Sequence, residues 1–568
     1  MSTLNYKAKR FIEEQFPISR LSRESYAERK AGTGQTLTGI GKWWGRKPLI
    51  LVRATLLGIL MPTSDDKVKD ASIFLKALMM DDEATWLRLK TKLSAGWVYQ
   101  NSTDENKEQW FDLTGKYPKW KDTINKEEYT LITKKTFLDL PYEKRIEYCY
   151  RPEEMEDLQA DSLMEINSHL GTSANSFIEL IQQLGEKQFG YKPRVGDAFC
   201  GGGSIPFETC RLGLDAYASD LNPVAGLLTY TAINLVGGST ERVKRFKEIQ
   251  EKVFKNVDNQ IIELGIEHNE KGWRAEYYLY CNEAICPVCN WKIPLLPDFL
   301  VARNVKTICK LLPIEKEKRY RITIHENVSD TELNEAKKGT VSDGKIICPH
   351  CHEKTPVIVL RGDIKTSDGT QYGLRQWENK DLIPLKSDVF DERLYCIRWL
   401  ETVVAKSKEE KGKLKEIVHF SEPDINDLKR EKQVIDILAA NFDSWQEKGF
   451  IPIKQIESGY NTEKPIRERG WRFWHQLFCP RQLLQIGLFS KEISQIEDNE
   501  FRIYLINLLS RLTDWNSRLS IWLDDTIYGR GKNTFYNQAL NTLYEFSCRG
   551  FNTLDSLPID IKSNSFPT

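Results

Sequence analysis

No stretch of this sequence is apolar for long enough to cross a membrane. The best run, Pro48 to Met61, falls short of the ~20 residues that a helical span needs, and it carries Arg53. The opening residues, Met1-Ser2-Thr3-Leu4-Asn5-Tyr6-Lys7, lack the apolar core of a secretion signal. The expectation is a cytoplasmic protein with no membrane partner. An excess of charge is also missing, since Lys+Arg and Asp+Glu both number 81. No global field advertises nucleic acid, so any DNA contact has to come from a local basic patch. The twelve cysteines are too few for a disulfide-dense scaffold of 568 residues. Two tight pairs among them suggest free thiols and a metal site.

What is present is a long, ordinary globular composition, 40% hydrophobic, 29% charged and 11% aromatic. The length suggests roughly three or four domains of about 100–200 residues each. Composition and motifs divide the chain at 1–62, 63–165, 166–270, 271–400 and 401–568. The second segment reads as a helical insertion without nameable chemistry, and the last as a helical region for DNA recognition or partner docking.

The strongest local signal is Lys192-Pro193-Arg194-Val195-Gly196-Asp197-Ala198-Phe199-Cys200-Gly201-Gly202-Gly203-Ser204-Ile205-Pro206-Phe207-Glu208. It predicts a short strand running into Asp197, a glycine turn, and a helix with Pro206 in its first turn, where a missing N–H costs nothing. Gly213 closes that helix, and Leu214 to Ser219 supplies a second strand that ends on Asp220. Glycines allow close approach to a ligand, a helix N-terminus offers free N–H groups, and an acid at the next strand end accepts ribose hydroxyls. The dinucleotide fingerprint fails, because Pro206 stands where its last glycine belongs. The alternative is S-adenosylmethionine, because Asp197-Ala198-Phe199-Cys200-Gly201-Gly202-Gly203 resembles the Asp-x-Phe-x-Gly-x-Gly turn of its methyltransferases; that resemblance implies Asp197, Phe199, Gly201, Gly203, Asp220 and Asn222 as the cofactor-binding residues.

Three further stretches stand out. After a loop with Gly32, Gly34, Gly39 and Gly41 comes Lys42-Trp43-Trp44-Gly45-Arg46-Lys47-Pro48. Its aromatics can stack on bases while Lys42, Arg46 and Lys47 neutralise phosphates; equally, Trp43 and Trp44 can anchor the loop on the core. Cys286-Pro287-Val288-Cys289 and Cys348-Pro349-His350-Cys351 are twin knuckles of the kind that complete a tetrahedral zinc site, with Cys281, His350 and His352 as possible substitutes for one ligand. The 58 residues between Cys289 and Cys348 exceed the usual ribbon spacing, which calls for an inserted β-rich arm. Lys406 to Lys415 reads as a charged helix face. Beyond Gly470, helices are expected around Pro480, over Phe501 to Trp515 and around Ala539 to Phe546. Arg481, Gln482, Asn516 and Gln538 are either core residues or substrate contacts.

In this order, the Trp–basic turn, Asp197 to Pro206, Ser219 to Pro223, the cysteine knuckles, Phe478-Cys479-Pro480-Arg481-Gln482-Leu483 and Asn537-Gln538-Ala539-Leu540 resemble the zinc-ribbon-containing adenine-specific DNA methylases common in bacterial and archaeal antiphage defence islands. Gly45 and Cys200 stand where that family more often has Ala, without harm to either turn. The resemblance implies an α/β fold: a Rossmann-like methyltransferase sheet with an inserted zinc ribbon and a helical C-terminal region. It implies methyl transfer from S-adenosylmethionine to N6 of adenine in double-stranded DNA, and it places the Trp–basic turn in the cofactor or DNA pocket. One departure is serious. Such enzymes hold the amino group with an Asp/Asn-Pro-Pro-aromatic turn while the flipped base stacks on the ring, and this sequence contains no Pro-Pro dipeptide. The family places that turn shortly beyond the Asn-Gln-Ala-Leu segment, and this sequence stops at Thr568. The catalytic residues are therefore unknown, and the sheet reads as incomplete or split. The expectation is a second chain carrying the turn, docked on the sheet edge and on apolar faces left exposed by Leu505 to Trp515 and Ala539 to Phe546. A non-catalytic DNA-binding subunit, or a methyltransferase acting on RNA or protein, are the alternatives.

Overall fold

The computed structural model describes residues 9–29, 37–115, 117–155, 158–367, 369–404 and 413–554. Gly32, Gly34 and most of the run Lys406 to Lys415 lie outside the described residues. The fold is mixed α/β, in two compact units, one reaching to Lys244 and one from Arg245 onward.

In the first unit, the chain from Phe11 is broken at Pro17. Phe11–Glu14 forms a single turn and α1 runs over Ile18–Arg29, because Pro17 lacks the N–H that would continue a helix and instead accepts the first bond, from Leu21 N–H. Helix α2 is Leu49–Leu60, buried almost all round as its composition demands. Pro48 gives it no side-chain cap, and Glu28 Oε2 takes the Leu49 N–H at 2.9 Å. Helix α3 (Lys67–Ala77) and helix α4 (Phe177–Phe189) bring Phe74, Leu180 and Leu184 into one core with Leu57 of α2. Against this core lie β1 (Arg194–Asp197), α5 (Ser204–Arg211), β2 (Asp215–Ala218) and α6 (Pro223–Thr231). Strands β1 and β2 are parallel, Arg194 opposite Asp215 through Asp197 opposite Ala218, and they form a sheet of two. Arg53, the one charge in the apolar run, bonds Glu208 of α5 at 2.6 Å with both side chains buried. That pair ties α2 to the helix that leaves the glycine turn.

The second unit is built on an eight-stranded sheet. Its spine is β3 (Arg274–Ile285), antiparallel to Asp391–Val404 on one edge; the other edge pairs with Glu545–Arg549 and then with Lys292–Leu295. The residues between the knuckles are β-rich as expected, but strands such as Thr307–Ile314 and Arg319–His325 extend this same sheet and do not form a separate arm. Two corrections concern the C-terminal region. Leu414–Ser421 and Glu545–Arg549 are strands, and Asn537 to Tyr544 is not helical. The Asn537 side chain accepts from Ala539 N–H at 3.1 Å and from Asn541 Nδ2 at 2.9 Å, a local competitor to the helix. Phe546 then stacks on Tyr280 across the ladder, with ring centroids 5.0 Å apart. The apolar faces expected to stay exposed are covered within the chain, since Leu505, Leu508, Leu512 and Phe546 are all buried.

Candidate cofactor turn and candidate metal centre

The glycine turn forms where β1 ends. Asp197 Oδ1 accepts the Phe199 N–H at 3.1 Å, which leaves Phe199 86% exposed at the rim. Gly201 and Gly203 take φ of +50° and +81°, the left-handed region where only glycine is unstrained, and Gly203 caps α5. At the end of β2, Asp220 ties the two strand ends together. Its Oδ2 accepts the Gly201 N–H and its Oδ1 the Asn222 N–H, each at 2.9 Å. Those bonds, the Asn222 one first, hold the carboxyl below its usual range. Asn222 Oδ1 caps α6 through the Val224 N–H at 3.0 Å, with Pro223 at the first helical position. The six residues singled out from the sequence thus meet at the carboxyl ends of two parallel strands, where open α/β sheets bind ligands.

The Trp–basic turn comes to the same place. A Cβ on Gly201 would lie 2.7 Å from Trp43 Nε1, and one on Gly202 would lie 2.4 Å from Arg46 Nε. Arg46 Nε donates to the Gly202 carbonyl at 3.2 Å and Nη1 to the Gly41 carbonyl at 2.9 Å. Two of the glycines therefore make room for the protein's own Trp43 and Arg46, whatever else they admit. Gly203 approaches Thr229, whose Oγ1 sits 3.3 Å from Cys200 Sγ. Sequence reasoning missed Thr229, Gly202 and Glu208, because nothing local marks a contact partner that distant. Lys42, Trp44 and Lys47 face outward, with Lys42 Nζ 4.4 Å from the Trp44 ring centroid.

In the second unit, the knuckles meet. Cys286 Sγ is 3.7 Å from Cys351 Sγ, Cys289 Sγ is 3.6 Å from Cys348 Sγ, and all four sulfurs lie within 4.8 Å of one another. Tetrahedral thiolates at Zn–S of about 2.3 Å stand about 3.8 Å apart. The two knuckles are built alike. Cys286 O accepts from Asn290 N–H and Cys348 O from His352 N–H, and Asn290 and His352 take φ of 61° and 59°. The four cysteines can bind a metal ion and need no substitute. Cys281 is buried in β3, and His350 stacks on Trp291 at 4.4 Å.

Three of the other candidate contacts are structural. Arg481 is 2% exposed and pairs with Glu431, Gln482 Oε1 accepts the Cys479 N–H, and Asn516 Oδ1 accepts the Arg549 N–H. Gln538 remains exposed. Among the described residues no helix is long and apolar enough to cross a membrane.

Comparison with known proteins finds one family model, described as "Protein of unknown function (DUF1156)", which matches residues 15–80. Those residues include α1, the Trp–basic turn, α2 and α3, the elements that deliver Trp43 and Arg46 to the glycine turn. No curated protein and no solved structure matches.

Proposed function

We propose that this chain is the S-adenosylmethionine-binding, zinc-ribbon-containing part of an adenine-specific N6 DNA methyltransferase of a bacterial or archaeal restriction or antiphage defence system. The observation that carries the reading is Asp220. It is an acid at the end of β2, fixed by the backbone of the glycine turn on one side and of the α6 cap on the other, and in this reading it takes both ribose hydroxyls of the nucleoside cofactor. The cofactor supplies the transferable methyl group. The chain's own residues orient it, Asp220 at the ribose and the turn at the remainder. The ion of the cysteine site is zinc, and four thiolates leave no open position, so its role is structural. With no Pro-Pro dipeptide in the sequence, the turn that holds the adenine amino group comes from outside these 568 residues. A non-catalytic subunit that keeps the fold is favoured by one observation, the filling of the Gly201 and Gly202 space by Trp43 and Arg46.

Calorimetry separates the two. The full chain binds S-adenosylmethionine, and Asp220→Ala weakens that binding by about 1.5–3 kcal/mol, as for hydrogen bonds to a charged group. Absence of binding by the wild-type chain favours the non-catalytic reading. Labelled methyl transfer to adenine-containing duplex DNA by this chain alone would refute the outside source of the turn.

A further inference from the structure

Arg46 has a second side. Besides touching the glycine turn, it lines a cavity of about 760 Å³ bounded by α1, Gly45 to Pro48 and the start of α2. That volume is within the ~300–1,000 Å³ usual for small-molecule sites. The cations on its wall are Arg29, Arg46 and Lys47, and among the described residues no acid lines it. Two buried polar atoms on the wall have no hydrogen-bond partner, Arg46 Nη2 and Ser25 Oγ.

Arg46 is exceptional within its unit. Of the buried arginines there, Arg53 meets Glu208 at 2.6 Å, Arg88 meets Glu24 at 2.8 Å and Arg145 meets Asp82 at 2.8 Å. Arg46, 8% exposed, meets only two backbone carbonyls, and burial alone pulls its guanidinium down to about 10. A desolvated cation without a counter-charge is costly, and an anion in the adjoining space relieves that cost. The wall also carries the ring of Tyr26, 73% exposed. An aromatic face beside three cations and the hydroxyls of Ser22 and Ser25 is the donor set for a phosphate with a base attached.

We propose that this cavity is a nucleotide-phosphate site, with Arg29, Arg46 and Lys47 on the phosphate, Ser25 donating to it and Tyr26 stacking on the base. The phosphate belongs either to a nucleic-acid strand, which accords with the methyltransferase reading, or to a free nucleotide, which does not.

The test measures binding of a 12-nucleotide single strand, the corresponding duplex and adenosine 5′-monophosphate to the full chain, over a range of salt. Arg29→Gln and Lys47→Gln are surface changes that leave the fold intact, and Tyr26→Ala probes the stacking. Each cation variant should lower the affinity of the bound probe several-fold and reduce its salt slope by about one. Arg46→Lys, which keeps the charge but not the fork, should show a loss of the same direction. Binding of S-adenosylhomocysteine, measured in parallel, should not change in Arg29→Gln. Tighter binding of the strands assigns the phosphate to nucleic acid, and tighter binding of the monophosphate to a free nucleotide. Unchanged affinity and salt slope in all four variants, or no binding of any probe by a wild-type chain that does bind S-adenosylhomocysteine, overturns the site and leaves the cofactor reading standing.

Discussion

Alanine at Gly202 would place its methyl carbon 2.4 Å from Arg46 Nε and 2.6 Å from Arg46 Cγ. Gly202 is not among the glycines of positive φ, so the backbone tolerates the change, and what has to give is the arginine. Displacing it breaks the bonds to the Gly202 and Gly41 carbonyls. At about 1.5–3 kcal/mol for each charged bond, the gross loss is about 3–6 kcal/mol. Rehydration of a guanidinium that has no carboxylate partner returns part of this, and the stiffer unfolded chain returns about 0.4–1 kcal/mol more. The net expectation is about 1–3 kcal/mol of local destabilisation. The same substitution in an Arg46→Ala background has nothing to strike, so it should cost nothing or stabilise by up to about 1 kcal/mol. Hydrogen exchange of the full chain, read in peptides covering residues 38–60 and 194–220, gives the local opening free energies for the four members of the cycle. Equal costs of Gly202→Ala in both backgrounds would refute the claim that the turn's glycines serve the packing of Arg46.

Elemental analysis should find one zinc per chain, lost in Cys348→Ser/Cys351→Ser, and chelation should unfold the knuckle region first, because Cys286 and Cys348 lie in a small core with Ile346, Val357 and Phe390; full zinc retention in the double variant would count against the site. Glu153 is 1% exposed, with Arg151 Nε 3.1 Å from its Oε1, and burial, with Glu28 nearby, outweighs that cation and raises it to about 8. Between about 4.5 and 8 the folded state then holds a proton that the unfolded state has released, so this residue's contribution falls as pH rises through that window. Glu153→Gln should therefore flatten the decline and raise the melting temperature at pH 8 more than at pH 5; an equal shift at both would show that Glu153 is ionised in the fold.

The glycine turn was legible because its information is local. A strand into Asp197, a helix from Ser204 with Pro206 in its first turn, and a strand closing before Asp220 all follow from neighbours within a few residues. The knuckles were legible for the same reason, since each turn is set by its own short repeat. What could not be read is what the turn packs against. Arg46 reaches Gly202 across 156 residues, and no periodicity encodes that pairing, so glycines that look designed for a ligand also look designed for a neighbour. Glu545–Arg549 was misread for a related reason. Its alternation is short, and its identity as a strand comes from the Tyr277–Cys281 edge it joins. Arg481, Gln482 and Asn516 could be read from the sequence as core residues or as substrate contacts, and each satisfies a buried backbone or charged group.

The two-stranded sheet carries the remaining argument. Parallel strands are normally covered on both faces, and a lone pair of strands is marginal in water. Here Val195, Ala216 and Ala218 are partly covered, whereas Arg194, Gly196, Asp215 and Tyr217 on the opposite face are exposed. Phe199 at 86% and Leu221 at 98% exposure continue that bare surface past the strand ends, beside the glycine turn. Among the described residues no strand joins the free edge of β1. In doubly wound sheets the first strand is flanked on both sides, and the ligand lies where the order reverses, between that strand and the neighbour begun by the second half. On the proposed methyltransferase reading, a strand added at the free edge of β1 would end next to Gly201 to Gly203, beside the place where the methyl acceptor is held. On that reading the bare face and the missing amino-group turn are one deficit, and a single added strand with its covering helix would make good both.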